Sequence, residues 1–129
     1  MSQKQIFLLD DEEFWLSKMI EALNKLSISE ENGWKLFTFK TGEALEAACQ
    51  NGSIPDLILS DYTLEKGESL PFLRRIKLTH EGTFIILCTR MDRDVFEIIP
   101  EEIPYHAFLS KYDLHMVDKV RNVLSFLEF

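Results

Sequence analysis

The chain is poor in cysteine, glycine, proline and positive charge, and each shortage closes off a class of protein. Its two cysteines, Cys49 and Cys88, have no C-x-x-C or Cys/His spacing around them, so they supply neither a disulfide framework nor a zinc site. Both read as reduced, buried thiols. Five glycines and four prolines, none of them clustered, leave no linker, repeat or low-complexity tract. Apolar runs stay short: the longest near the N-terminus, Ile6 to Leu9, is too brief for a signal sequence or a membrane span. Fourteen Lys and Arg against 22 Asp and Glu give a formal charge of −8, which disfavours a phosphate backbone as partner. The expectation is a cytoplasmic, water-soluble chain that contacts neither nucleic acid nor membrane directly.

What the sequence does have is 46% apolar content over 129 residues, enough to bury one core without cross-links. A single domain spanning 1–129, with no output domain, is expected. "QIFLL" lacks alternation, as a strand covered on both faces does, and Leu16, Met19, Ile20 and Leu23 follow at helical spacing. The pattern then repeats. "SISEENGWKLFTF" turns at Asn32 and Gly33 and resumes as a β-branched and aromatic run to Phe39, after which "TGEALEAACQNG" offers helix formers and a glycine stop. "DLILS" precedes an amphipathic segment carrying Leu70, Leu73 and Ile76, with Pro71 tolerated in its first turn. "TFIILCT" precedes a weaker helix, "RDVFEIIPEE", which Pro100 should end or kink. "HAFLS" precedes a last helix marked by Val117, Val120, Leu124 and Leu127. Five strands alternating with five helices predict a parallel α/β sheet with right-handed crossovers and helices on both faces.

In such a sheet ligands sit beyond the carboxyl ends of the strands. Those ends carry Asp10 and Asp11 after strand one, Thr38 to Thr41 after strand two, Asp61 after three, Thr89 after four and Lys111 after five. Asp61 poses the sharpest question, because a charged side chain that closes a buried run has to be paired, bound to a metal or at an opening. Three carboxylates converging on one edge repel unless a cation neutralises them, and an all-oxygen set suits a hard ion such as Mg²⁺. Taken singly, each residue also has a plainer reading: Asp10 and Asp11 as N-cap and first-turn acid, Thr89 as a hydroxyl satisfying a loop amide, Lys111 as a solvated lysine. Those readings must all hold at once to displace the metal site.

With "LLDDEE", "LILSD", "IILCT" and "FLSK" closing strands one, three, four and five, the sequence resembles the receiver domain of two-component response regulators along essentially its whole length. The resemblance implies the flavodoxin-like, CheY-like doubly wound (βα)5 fold. It implies that Asp61 is the phosphoacceptor, with Thr89 and Lys111 contacting the phosphoryl oxygens. It implies Mg²⁺ or Mn²⁺ held by Asp11 and Asp61 directly, by Asp10 mainly through a coordinated water, and by the backbone carbonyl of Thr63. Phe108, three residues before Lys111, matches the family's switch aromatic; its plainer reading is ordinary core. The implied partners are a sensor histidine kinase or histidine phosphotransfer protein as donor and a further protein as target, reached by contact or by phosphorelay. On this reading the chain is no enzyme with a separate substrate but a phosphoacceptor that catalyses its own phosphorylation and dephosphorylation.

Three positions depart from the family pattern. Tyr112 stands where a proline usually follows the lysine, Glu65 takes the place of another common proline, and Arg90 replaces a small residue after Thr89. At the pocket rim, the bulk of Arg90 is expected to obstruct the in-line approach of water and to prolong the phosphorylated state. Trp15, one helical turn past Asp11 and beside the apolar stripe, and Tyr112 are candidate partner contacts. Competing functions are a pseudo-receiver serving as a constitutive docking module and a receiver excised from a hybrid histidine kinase. A flavodoxin-like cofactor binder would need a phosphate-cradling loop after strand one, where "LLDDEEFW" has acids and no glycine. A haloacid-dehalogenase-like phosphatase would need its nucleophile after strand one with a second Asp two residues on, a spacing that "DDE" fails.

Overall fold

A computed structural model of the chain describes residues 4–28, 34–61, 69–89, 107–110 and 116–126. In chain order these form β1 (Lys4–Leu9), α1 (Glu13–Ile28), β2 (Trp34–Phe39), α2 (Gly42–Gln50), β3 (Leu57–Asp61), α3 (Ser69–Thr79), β4 (Phe84–Thr89), β5 (Ala107–Ser110) and α4 (Met116–Phe126). All five expected strands are present, together with four of the five expected helices. The segment read as the weak fourth helix, "RDVFEIIPEE", lies outside the described residues.

The strands pair in parallel in the order β2-β1-β3-β4-β5. The order reverses between β1 and β3, which puts the switch point, and the crevice it opens, beside Leu9 and Ser60. Period-two alternation along each strand divides the core into two layers. Ile6, Leu8, Leu57, Leu59, Ile86, Cys88 and Leu109 face α1 and α4, which contribute Leu16, Met19, Leu23, Val120 and Leu124. Phe7, Leu9, Ile58, Ile85 and Leu87 face α2 and α3, which contribute Leu45, Cys49, Phe72, Leu73 and Ile76. The uninterrupted apolar runs therefore have the meaning the sequence suggests: both faces are covered. Val117, expected on the apolar stripe of the last helix, is instead exposed, and Val120 and Leu124 carry that helix's contact with the core.

The helix ends follow local chemistry. Thr41 caps α2, its Oγ1 accepting the Ala44 amide at 3.2 Å, and Gly52 closes the following turn at φ +97°, a conformation open to glycine. The α2 and α3 helices are clasped by Arg75, whose guanidinium donates to both carboxylate oxygens of Glu46, one at 2.9 Å through Nη2. They also meet where Gly42 opens α2. A Cβ at residue 42 would stand 2.5 Å from ring atoms of Phe72, and Phe72 is buried. A ring fixed in a packed layer cannot yield as a flexible chain end can.

Gly42→Ala should accordingly lower stability by about 1–3 kcal/mol in urea unfolding, despite the better helix propensity of alanine. Gly42→Ala combined with Phe72→Leu should be less unstable than the sum of the two single changes, because the leucine relieves the overlap.

Candidate metal centre

The register brings the chemistry to one edge. Leu9 of β1 lies level with Ser60 of β3, so the residues that follow them, Asp10 and Asp61, leave the sheet as neighbours. Asp61 is level with Cys88, and Thr89 with Ser110, the residue before Lys111. The Asp10 amide donates to Phe39 O at 3.0 Å, which carries the β1–β2 pairing one step beyond the strands. Asp10 Oδ1 then accepts the Glu12 amide at 2.9 Å, an Asx turn that orients the carboxylate where the chain bends into α1.

Carboxylate oxygens of Asp10, Asp11 and Asp61 all lie within 4.8 Å of one another. Asp10 and Asp61 are buried and Asp11 is half-buried, so the cluster is roofed by protein on one side and open to water on the other. Among the described residues it is the one such group of potential metal ligands. An all-oxygen donor set of this size, with a solvent-facing side where waters can complete an octahedron, fits Mg²⁺ or Mn²⁺. Strand two adds no acid to it, and Thr41 at its end is used as the cap of α2.

The sequence-predicted site is thus assembled in part within the described residues. Thr63, Arg90, Lys111 and Tyr112 lie outside them, as do the side chains of Thr89 and Phe108. Both thiols are free and buried as expected. Burial, seconded by the negative Glu46, pushes the Cys49 thiol up from its ordinary value, so it stays protonated and inert. The sequence reading passed over an ion pair at the same edge, between Lys40 after β2 and Glu13 at the start of α1. The hydrogen bond and charge of Lys40 hold the Glu13 carboxyl below its ordinary value. The stabilisation from this pair is complete above the unfolded-state value and is lost as pH falls through the lower folded-state value.

No family model and no curated protein sequence matches the chain. Solved structures do. The N-terminal domain of a response regulator/sensory box/GGDEF three-domain protein from Carboxydothermus hydrogenoformans superposes with a TM-score of 0.78 at 20% identity, over 96% of this chain and 93% of that one. The beryllofluoride-activated receiver domain of DrrB, a Thermotoga maritima protein, gives 0.77 at 23% identity, over 99% and 100%. The phosphorylated cyanobacterial phytochrome response regulator RcpA gives 0.75 at 20% identity, over 98% and 95%. The chain has the receiver-domain fold.

Of the two aromatics at the start of α1, the one that stands out into solvent is the neighbour of the residue singled out in the sequence. Trp15 is half-buried and packs against the layer under α1 and α4. Its neighbour Phe14 is 73% exposed, with Lys18 Nζ 4.6 Å from the ring centroid. A helical wheel through Leu16, Met19 and Leu23 puts Phe14 on the opposite face, so the signal was there to be read. Among the described residues no helix is long and apolar enough to cross a membrane.

Mg²⁺ should raise the thermal unfolding midpoint of the protein, with a stabilisation of about 2.7 kcal/mol once the ion reaches a hundred times its dissociation constant. In Asp11→Ala the increment should largely vanish. Retention of the full increment in that variant would remove Asp11 from the metal site.

Proposed function

We propose that the chain accepts a phosphoryl group on Asp61 from a phosphohistidine, assisted by Mg²⁺, and signals through protein contact or by passing the group on. The observation that carries this reading is the placement of Asp61 at the end of a buried central strand with two further carboxylates within 4.8 Å. A carboxylate so held has few orientations open to it and can meet a phosphorus atom in line at low entropic cost. Its oxygen forms the new P–O bond as the bond to the donor nitrogen breaks, the electron pair leaving with the imidazole.

Asp10 and Asp11, with the backbone carbonyl of Thr63, are the residues that would hold the ion alongside Asp61. Bound there, Mg²⁺ would offset the negative charge of the phosphoryl oxygens. The hydroxyl of Thr89 and the ammonium of Lys111, the residues that close or follow β4 and β5, take the same role from the protein side. The product is an acyl phosphate, which hydrolyses, so the mark is temporary. Support comes from the fold shared with DrrB, whose receiver domain is seen activated by beryllofluoride, and with RcpA, seen phosphorylated. A sensor histidine kinase or a histidine phosphotransfer protein is the corresponding donor.

Incubation with acetyl phosphate and Mg²⁺ should add one acid-labile phosphoryl group, seen by intact mass, and Asp61→Asn should take up none. Labelling of Asp61→Asn at the wild-type rate would defeat the assignment.

A further inference from the structure

We infer that the Ser60 hydroxyl is a positioning device for Asp61, holding the backbone from which the carboxylate projects. The inference rests on the reading of Asp61 as phosphoacceptor. Ser60 is fully buried, and its level neighbours on β1 and β4 are Leu9 and Leu87, both in the apolar layer against α2 and α3. Packing alone would favour an apolar side chain there. The hydroxyl instead donates to the carbonyl oxygen of Asp61, at 3.0 Å. Adjacent residues of a strand point to opposite faces, so Ser60 grips the Asp61 main chain from the layer opposite to that of the Asp61 side chain. The bond it makes is to the main chain and not to the carboxylate.

The consequence lies in the peptide plane. Asp61 is the last described residue of β3, and its carbonyl takes the Ser60 hydroxyl at 3.0 Å in a buried setting. That bond restrains the rotation about the Cα–C bond of Asp61. The starting end of the same strand has a matching brace, where Thr83 Oγ1 donates to Pro55 O at 2.7 Å, with Thr83 also buried. Both of these buried hydroxyls on the sheet are thus spent on the backbone at the two ends of β3. The end that carries Asp61 is the one where a small rotation moves a reacting atom, and a misplacement of 1 Å can cost a reaction on the order of 100-fold.

The test is phosphorylation of the full chain by acetyl phosphate in saturating Mg²⁺. An Asp61 oxygen forms a bond to phosphorus while the P–O bond to acetate breaks, with the electron pair leaving on acetate. Ser60→Ala should lower the maximal rate about 10-fold and leave the half-saturating donor concentration unchanged, since Ser60 does not bind the donor. Ser60→Thr, which keeps the donor, should recover most of the rate. In the metal-free protein the Asp61 carbonyl carbon resonance should move upfield in Ser60→Ala and not in Ser60→Thr. Should the alanine variant fail to fold, Ser60→Cys, close in size and a weak donor, should show the same loss of rate. A wild-type maximal rate in the folded Ala or Cys variant overturns the inference, as does an equal loss in Ser60→Thr. If wild type itself takes up no phosphoryl group on Asp61, the functional reading fails instead, and the two failures are told apart by that control.

Discussion

Carboxylates whose oxygens lie within 4.8 Å of one another repel, by about 1 kcal/mol per charged pair in water and by roughly 3–4 kcal/mol at the effective dielectric of a protein surface. Asp10, Asp11 and Asp61 form three such pairs, and two of the three side chains are buried. Left to relax, they would swing apart. That they are gathered at all is the work of the scaffold, and the electrostatic cost is what a divalent cation bound among them would relieve. A cluster loose enough to spread would be more stable without the ion and bind it less well. Everything else about this end of the molecule can be understood as keeping the three acids from spreading.

The restraint begins in the sheet. Parallel pairing of β1 with β3 over Ile6 to Leu9 and Leu57 to Ser60 fixes where Asp10 and Asp61 emerge, and a one-residue slip would carry both sets of side chains to the wrong layer. The two apolar layers make such a slip prohibitive, since every strand residue from Ile6 to Leu9 and from Leu57 to Leu59 is buried. Short hydrogen-bonded turns finish the job locally. The Asx turn from Asp10 to Glu12 and the bond from Ser60 to the Asp61 carbonyl each remove a rotation next to a carboxylate. Packing sets position to the level of a strand, and these two bonds refine it to the level of a torsion.

This division also explains what was legible in the sequence. The strands and helices could be read because they depend on periodicity, which one chain displays by itself: unbroken runs for strands covered on both faces, and Leu16, Met19 and Leu23 for the buried face of α1. The three acids could be read because each closes such a run. Side-chain bonds to backbone have no period, so the Ser60 hydroxyl looked like a small residue in an apolar run. The Glu13–Lys40 pair escaped for a related reason, joining residues 27 apart whose meeting depends on the β1–β2 pairing. Phe14 and Val117 were different cases. Both are exposed apolar residues: Val117 was placed inward by its hydrophobicity, and Phe14, off the apolar stripe, was passed over.

The two edges of the sheet are held by opposite means. At the amino ends of the strands the Gln5 amide donates to Asp56 Oδ2 at 2.8 Å, the Asp56 amide to Gln5 O at 2.9 Å and the Phe84 amide to Asp56 O at 3.0 Å. Lys77 Nζ donates to Thr83 O at 2.9 Å, so a cation shields one of the carbonyls that end the β3–β4 connection. These bonds tie the starts of β1, β3 and β4 together from within the chain. At the carboxyl ends the described residues gather three carboxylates, and Lys40, at the same edge, is committed to Glu13. In a chain that already carries a net charge of −8, an anionic group cannot approach such an edge on favourable terms until the excess is neutralised. The fold thus spends side chains on the backbone at one end of the strands and gathers its carboxylates at the other, and the parallel register that the first end helps to hold is what brings Asp10 and Asp61 together at the second.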